Sequence, residues 1–203
     1  MQGLVEGFEN LADDPGAPYG TTGEALGAAC QVVAAAYRAP CDGLLDDLRS
    51  GRLAAVTDAL AAWAGVSAPE APHALPDADA LRAAHVALFV SRAGGVPAPP
   101  YVGMVRDREL MGPTVRRLRE ELARLGLRPR TDWRELPDHV AAVAEAVDLL
   151  LERGRVAAAT GLVASYLAPW FDRYAEAVAV NDAGGLYGEI TPFLRLVLDE
   201  ATR

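Results

Sequence analysis

The sequence predicts an all-α protein: a single helical domain of two lobes joined by a hinge. Three observations carry that expectation. Apolar residues recur at helical spacing along most of the chain, and no run alternates as a strand would. Of the 203 residues 51% are hydrophobic but only 6% aromatic, and alanine supplies much of the difference, so helices can approach closely. Finally, residues 127–139 (LRPRTDWRELPDH) interrupt the helical pattern near its middle. Gly126 and Pro129 stop the helix before this stretch; Pro137 and Asp138 open the helix after it, with Asp138 suited to the N-cap. The expected division is an N-lobe over about 21–126, a hinge over about 127–138 and a C-lobe over about 139–203.

Taken in order, residues 1–20 carry several acids, the turn signal Asp14-Pro15-Gly16 and Pro18, and are expected to be loosely ordered. Thr21 and Glu24 make a capping box for a helix whose apolar face holds Leu26, Cys30, Val33 and Tyr37, ended by Pro40. A short helix with Leu44, Leu45 and Leu48 follows. Past Ser50-Gly51 comes one with Leu53, Val56, Leu60 and Trp63, closed by Gly65. Residues 66–78 form a proline-bearing loop that leaves His73 solvated. The next helix starts near Asp77 or Asp79 and buries Leu81, His85, Leu88 and Phe89. On such a face His85 reads as a hydrogen-bonded core histidine. Residues 93–104 (AGGVPAPPYVGM) hold too many glycines and prolines for a helix, and a loop of this kind is either functional or a rigid crossover.

Met111, Val115, Leu118, Leu122 and Leu125 predict the helix before the hinge, with Pro113 in its first turn. After the hinge, Val140, Val143, Val147, Leu150 and Leu151 mark a helix ending at Arg153-Gly154. Another runs from about 156 to 168, where Pro169 breaks or kinks it and can serve as the first residue of the next. Beyond a turn at 181–185, a last helix carries Ile190, Phe193, Leu194, Val197 and Leu198.

Composition removes several kinds of function. A net charge of −9 argues against general nucleic-acid binding. All 19 cationic side chains are arginine, which excludes a lysine Schiff base, a pyridoxal-phosphate site and a P-loop lysine. Cys30 and Cys41 form no C-x-x-C pair and read as free thiols in a reducing compartment. The three histidines have no partner at metal-ligand spacing, so no metal and no cofactor is expected. There is no G-x-S-x-G, and Gly184-Gly185-x-x-Gly188 is too weak a glycine pattern for a nucleotide loop. Asp138 and His139 are the one titratable pair in a plausible cleft, but neighbours at a helix start point in different directions. No catalytic residue is therefore expected, and the chain reads as a non-enzyme. Nine arginines against five acids between 106 and 134 make the one basic zone, read as a solvated face with pairs such as Arg117 to Glu121. No basic run leads into an apolar stretch at the start, so no secretory leader is expected, and no apolar run reaches membrane length.

With these segments in place, the chain resembles the TorD/DmsD/NarJ group of molybdoenzyme-specific chaperones, the redox enzyme maturation proteins, over roughly 24–198. Leu81, His85 and Leu88-Phe89 resemble a helix of the form L…EY..LF, with His85 where tyrosine is usual. Pro99-Pro100-Tyr101 resembles PPYES, although Val102-Gly103 replaces the Glu-Ser. Leu110-Met111-Gly112 resembles the LMG before the following helix. Leu136-Pro137-Asp138-His139 resembles the hinge motif PDHL, with Val143 where a glutamate commonly follows, and Ala168-Pro169-Trp170 resembles a late L-P-W break. The resemblance implies a TorD-like fold and a cytoplasmic chaperone. Such a chaperone binds the twin-arginine leader, or the apo form, of a molybdopterin oxidoreductase and holds it for cofactor insertion before export. It implies a peptide-binding groove lined by Tyr101, Trp133, Pro137, Asp138 and His139, with Asp138 meeting a leader arginine. Pro99, Pro100, His85 and Phe89 are further candidates. A monomer or a domain-swapped dimer is expected, with no stable membrane insertion. The alternatives are a NarJ-like assembly factor on a non-exported catalytic subunit, an accessory subunit of a reductase complex, and a generic helical interaction module. A nucleotide hydrolase is opposed by the missing lysine and phosphate loop.

Overall fold

A computed structural model describes residues 19–40, 42–72, 74–128 and 135–203. Ten α-helical segments occupy them: α1 (Thr22–Tyr37), α2 (Asp42–Arg49), α3 (Arg52–Ala64), α4 (Ala78–His85), α5 (Gly103–Arg106), α6 (Pro113–Arg124), α7 (Val140–Glu152), α8 (Val156–Leu162), α9 (Ala168–Asn181) and α10 (Leu186–Ala201). The all-α expectation is met: among the described residues the one extended pairing is an isolated bridge between Tyr101 and His139. Cys41, His73, Pro129 and Trp133, all read above, lie outside the described residues.

α1 begins as its sequence dictates. The Thr21 side chain accepts the Glu24 amide at 3.2 Å and the Glu24 carboxylate accepts the Thr21 amide at 2.9 Å, which satisfies orphan donors at both ends of the turn. α1 then lies along α7 and also meets α10, while α9 and α10 pack as a pair. Small residues make the first of these contacts possible. A Cβ on Gly27 would stand 3.4 Å from Asp148 Oδ1 and 3.7 Å from Leu151, both on α7. One continuous apolar core therefore draws on helices from both sides of residues 127–138.

Its centre is aromatic. The Tyr37 ring meets Phe89, Trp170 and Phe171 edge-on at centroid distances of 5.3, 5.3 and 5.6 Å. Tyr37 hydroxyl and Thr191 Oγ1 share a 2.7 Å hydrogen bond, and Thr191 in turn donates to the Tyr187 carbonyl. Burial raises the Tyr37 hydroxyl well above its ordinary pKa.

Two helices carry a wide π turn. α4 continues through one at Val86–Val90, which ends with the Ser91 amide on the Val86 carbonyl at 2.9 Å. α8 continues through the other at Val163–Leu167 straight into α9. Of the break or kink expected at Pro169, the break is corrected: the chain stays helical from Val156 to Asn181. In a straight α-helix the proline would crowd the Ser165 carbonyl and offer it no donor; the wide turn just before it relieves that conflict. Pro169 still falls in the first turn of α9, where the missing N–H costs little.

The helix before the hinge also starts later than its periodicity suggests. α6 begins at Pro113, and Met111, read as its first apolar position, sits outside it with φ +63° and 54% of its surface exposed. Among the described residues no helix is long and apolar enough to cross a membrane.

Candidate functional site

Three of the short motifs, far apart in sequence, meet at one place. The loop 99–103 runs alongside 136–140 and is fastened to it by backbone hydrogen bonds. The Val140 amide donates to the Pro100 carbonyl and the Val102 amide to the Asp138 carbonyl, each at 2.9 Å. Between these bonds Tyr101 and His139 face one another as the bridged pair, rings edge-on at 5.5 Å. From beneath, Trp170 of α9 donates its Nε1–H to the Pro99 carbonyl at 2.8 Å. Prolines at 99 and 100 suit this arrangement, since each contributes a carbonyl and neither has an N–H left to satisfy.

Asp138 completes the fastening. It is 0% exposed, and its Oδ2 accepts the Gly103 amide at 3.0 Å, while Oδ1 has no hydrogen-bond partner from another residue. Burial pushes its carboxyl above the usual range; the Gly103 amide opposes that shift and the nearby Asp107 charge adds to it. The expected N-cap role of Asp138 is corrected here. The N-cap of α7 is His139, whose Nδ1 accepts the Ala141 amide at 3.2 Å. Asp138 lies one residue too early, and its carboxylate is turned towards Gly103 instead. Nor does its carboxylate stand open to an arginine of a bound peptide in this arrangement, because it is fully buried and Gly103 donates to it. A Cβ on residue 103 would lie 3.0 Å from both Asp138 Oδ2 and Val115 Cγ2. That contact also explains why glycine serves at a position where the resembling motif has serine.

His139 is neutral: burial takes its pKa down to about 4, helped by the charges of His85 and Arg38. His139 as a whole is 5% exposed, and its ring backs Tyr101 edge-on rather than facing solvent. The accessible rim consists of Tyr101, Leu136 and Pro137, half-buried, together with the exposed Glu135. Tyr101 hydroxyl donates to Glu135 Oε2 at 2.8 Å, and burial followed by that carboxylate raises the phenol above its ordinary range. Glu135 is therefore the outward carboxylate of this join. Nothing in its sequence neighbourhood distinguishes it, because its partner lies 34 residues away.

The remaining candidates lie inward. Pro99 is half-buried and Pro100 buried. Phe89 and His85 belong to the core beneath the join. His85 Nε2 is 3.2 Å from the Tyr37 carbonyl, and its ring meets Phe89 edge-on at 5.2 Å, as a core histidine should. Burial lowers its pKa, partly opposed by that carbonyl. Both further candidates are packing residues in this structure, His85 as the core histidine its helix face predicts. Cys30 is buried, its thiol raised by burial and by Asp148, so it is no nucleophile. Among the described residues no group of histidine, cysteine or carboxylate side chains could hold a metal ion.

A family model described as nitrate reductase delta subunit matches residues 46–176, a span containing 99–103, 135–140 and Trp170. In structure the chain is similar to a protein from Archaeoglobus fulgidus described as a redox enzyme maturation protein. The TM-score is 0.58 at 22% identity, over 89% of this chain and 96% of that chain. At that identity the likeness is one of fold. No curated protein matches the chain in sequence.

Proposed function

The chain belongs to the nitrate reductase delta subunit family, within the TorD/DmsD/NarJ group of redox enzyme maturation chaperones, and on that footing we propose that it binds a molybdopterin oxidoreductase precursor in the cytoplasm. The bound part is the precursor's twin-arginine leader, its apo form, or both. The chain holds the precursor until the cofactor is inserted, itself carrying no cofactor and performing no catalysis.

The observation that supports this reading is the fastening of 99–103 to 135–140. It sets Tyr101 and Glu135 together on an accessible rim over a rigid base. Glu135 offers a leader arginine a charge-assisted hydrogen bond, and Tyr101 and Pro137 offer apolar surface to the stretch that follows. In this reading Asp138 and His139 are positioning residues, holding Tyr101 rather than touching the peptide. Lobes over about 21–126 and 139–203 share one core in this arrangement, so they would part at the intervening hinge only by opening that core. A domain-swapped dimer would re-form the contact of α1 with α7 between two chains.

The test is calorimetric titration of the full chain with the leader peptide of a co-encoded molybdoenzyme. Micromolar or tighter affinity is expected, about −8 kcal/mol or better. It should fall about tenfold in Tyr101→Ala and in Glu135→Gln, the loss of one charged or aromatic contact. Unchanged affinity in both variants would remove the rim from the reading. The family description favours a second reading, docking on a non-exported catalytic subunit in the manner of NarJ. Binding to the leaderless subunit without binding to the leader would select it.

A further inference from the structure

We propose that the outward side of residues 106–124 is a docking surface for an acidic, apolar-anchored segment of a protein partner. The inference is independent of leader binding at the join. It starts from the fate of the acids in this zone. Both oxygens of Asp107 are taken internally, by the Thr114 amide at 2.7 Å and its hydroxyl at 2.9 Å. Glu121 accepts the Tyr166 hydroxyl at 2.8 Å, so the expected pair with Arg117 does not form. Arg117 donates instead to Thr114 Oγ1 at 3.0 Å, and Arg124 to the Glu120 carbonyl at 3.3 Å; both acceptors are neutral. Arg106, Arg108, Arg116 and Arg119 are exposed and make no hydrogen bond or ion pair among the described residues. Six arginines are thus left facing outward against two glutamates, Glu109 and Glu120, in a chain whose net charge is −9. Asp107 and Glu121 keep their charge, so 106–124 carries six arginines against four acids, but neutral amide and hydroxyl donors hold those two carboxylates in place of the arginines.

An apolar tip stands among these charges. Leu110 and Met111 are 55% and 54% exposed. They are held there, because Arg108 and Met111 both adopt left-handed backbone, φ +58° and +63°, a conformation side chains other than glycine rarely take. Asp107 locks the turn, and Gly112 allows it: a Cβ on residue 112 would come within 2.5 Å of Asp107 Oδ2. The same residues open onto a shallow cleft of about 600 Å³, lined by Met111, Pro113 and Val115 together with Arg116, Arg119, Glu109 and Glu120. Arginine and methionine are the side chains interfaces favour, the first for bidentate carboxylate contacts and the second for adaptable packing. The two glutamates and the apolar tip oppose a polyphosphate, so the occupant is a carboxylate-bearing peptide segment with one or two large apolar side chains.

The test compares two synthetic helical peptides bearing the same leucine stripe, one with glutamate and one with glutamine on the other face. Each is titrated into the full chain, into Arg116→Glu/Arg119→Glu and into Leu110→Ser/Met111→Ser; circular dichroism checks that both variants are folded. The glutamate peptide should bind about tenfold more tightly than its glutamine twin, an advantage that shrinks as salt rises. That advantage should vanish in the charge-reversed variant, and the serine variant should bind both peptides more weakly. Equal binding of the two peptides, or binding untouched by either variant, would overturn the proposal. So would preference for duplex DNA or for phosphatidylserine vesicles at matched salt. Tyr101→Ala, which tests the leader site, should leave the glutamate peptide's affinity unchanged.

Discussion

The join of 99–103 with 135–140 and the segment 104–128 are neighbours in the chain and handle their polar groups in opposite ways. In the join, carbonyls, amides and the Trp170 indole N–H are answered from distant parts of the molecule, and the chain gains a rigid frame from them. In the segment, Asp107 and Glu121 are held by neutral donors from Thr114 and Tyr166, while Arg106, Arg108, Arg116 and Arg119 make no hydrogen bond or ion pair among the described residues. A polar group satisfied internally is part of the scaffold; one left facing water beside an exposed leucine and methionine is available to something else. The comparison separates residues that hold the fold from residues that can meet a partner, on one continuous stretch of sequence.

The largest effect should come from removing the base of the join. Trp170→Ala deletes a fully buried ring and leaves the Pro99 carbonyl without its donor, and a cost of about 3–5 kcal/mol is expected in urea denaturation. A loss under about 1 kcal/mol would mean the join does not depend on it. Gly103→Ala probes the boundary of the two regions. The added methyl presses on Asp138 and Val115, and overpacking of this kind costs about 1–3 kcal/mol.

Next comes pH, where two groups oppose one another across the same window. The folded His139 has its pKa lowered to about 4 from an ordinary 6.5, so the folded state binds fewer protons and stability falls as pH drops from 6.5 towards 4. Burial also lowers His85, which adds to that slope. Asp148, on α7 and bonded to Gln31 at 3.2 Å, has its pKa raised by burial to about 6. There the folded state binds more protons, so stability falls as pH rises from about 4 to 6. Each group contributes at most about 1.4 kcal/mol per pH unit. His139→Asn keeps a capping side chain and removes its titration, so its melting temperature should gain relative to wild type on acidification from pH 7 to 4.5. Asp148→Asn should do the reverse, losing more than wild type over the same interval. Parallel curves for all three proteins would break this account. The smallest effect belongs to the segment: Arg116→Glu/Arg119→Glu should move stability by no more than about 0.5 kcal/mol, as exposed unpaired charges do. A larger loss, seen in the same urea transition, would show that these arginines serve the fold.

What the sequence revealed was whatever a local rule decides. The capping box at Thr21 and Glu24, the left-handed Gly65 closing α3, the N-cap at Asp77 and the core placement of His85 all follow from near neighbours and periodicity. The misreadings occurred where a distant group outbid a near one. Asp138 looked like a cap until Gly103, 35 residues away, took its carboxylate. The pairing of Arg117 with Glu121 gave way to Tyr166, 45 residues from that glutamate. Met111 fitted the helical period, but periodicity cannot see a positive φ. The motifs at 99–101, 136–139 and 168–170 were each legible; that the first two share one groove came only with the resemblance, and that Trp170 joins them was not read, because these contacts run through backbone carbonyls and amides that leave no mark in residue identity.

One consequence concerns the entropy of the chain. The bonds from Val102 to Asp138 and from Val140 to Pro100 tie off everything from residue 104 to 135 as a closed loop. The cost of closing such a loop grows only with the logarithm of its length, about 0.6 kcal/mol for each doubling. The excursion therefore behaves as a cassette. So long as Val115, Leu118 and Leu122 keep their places against the body, its tip can be lengthened, shortened or recharged with little penalty to the frame.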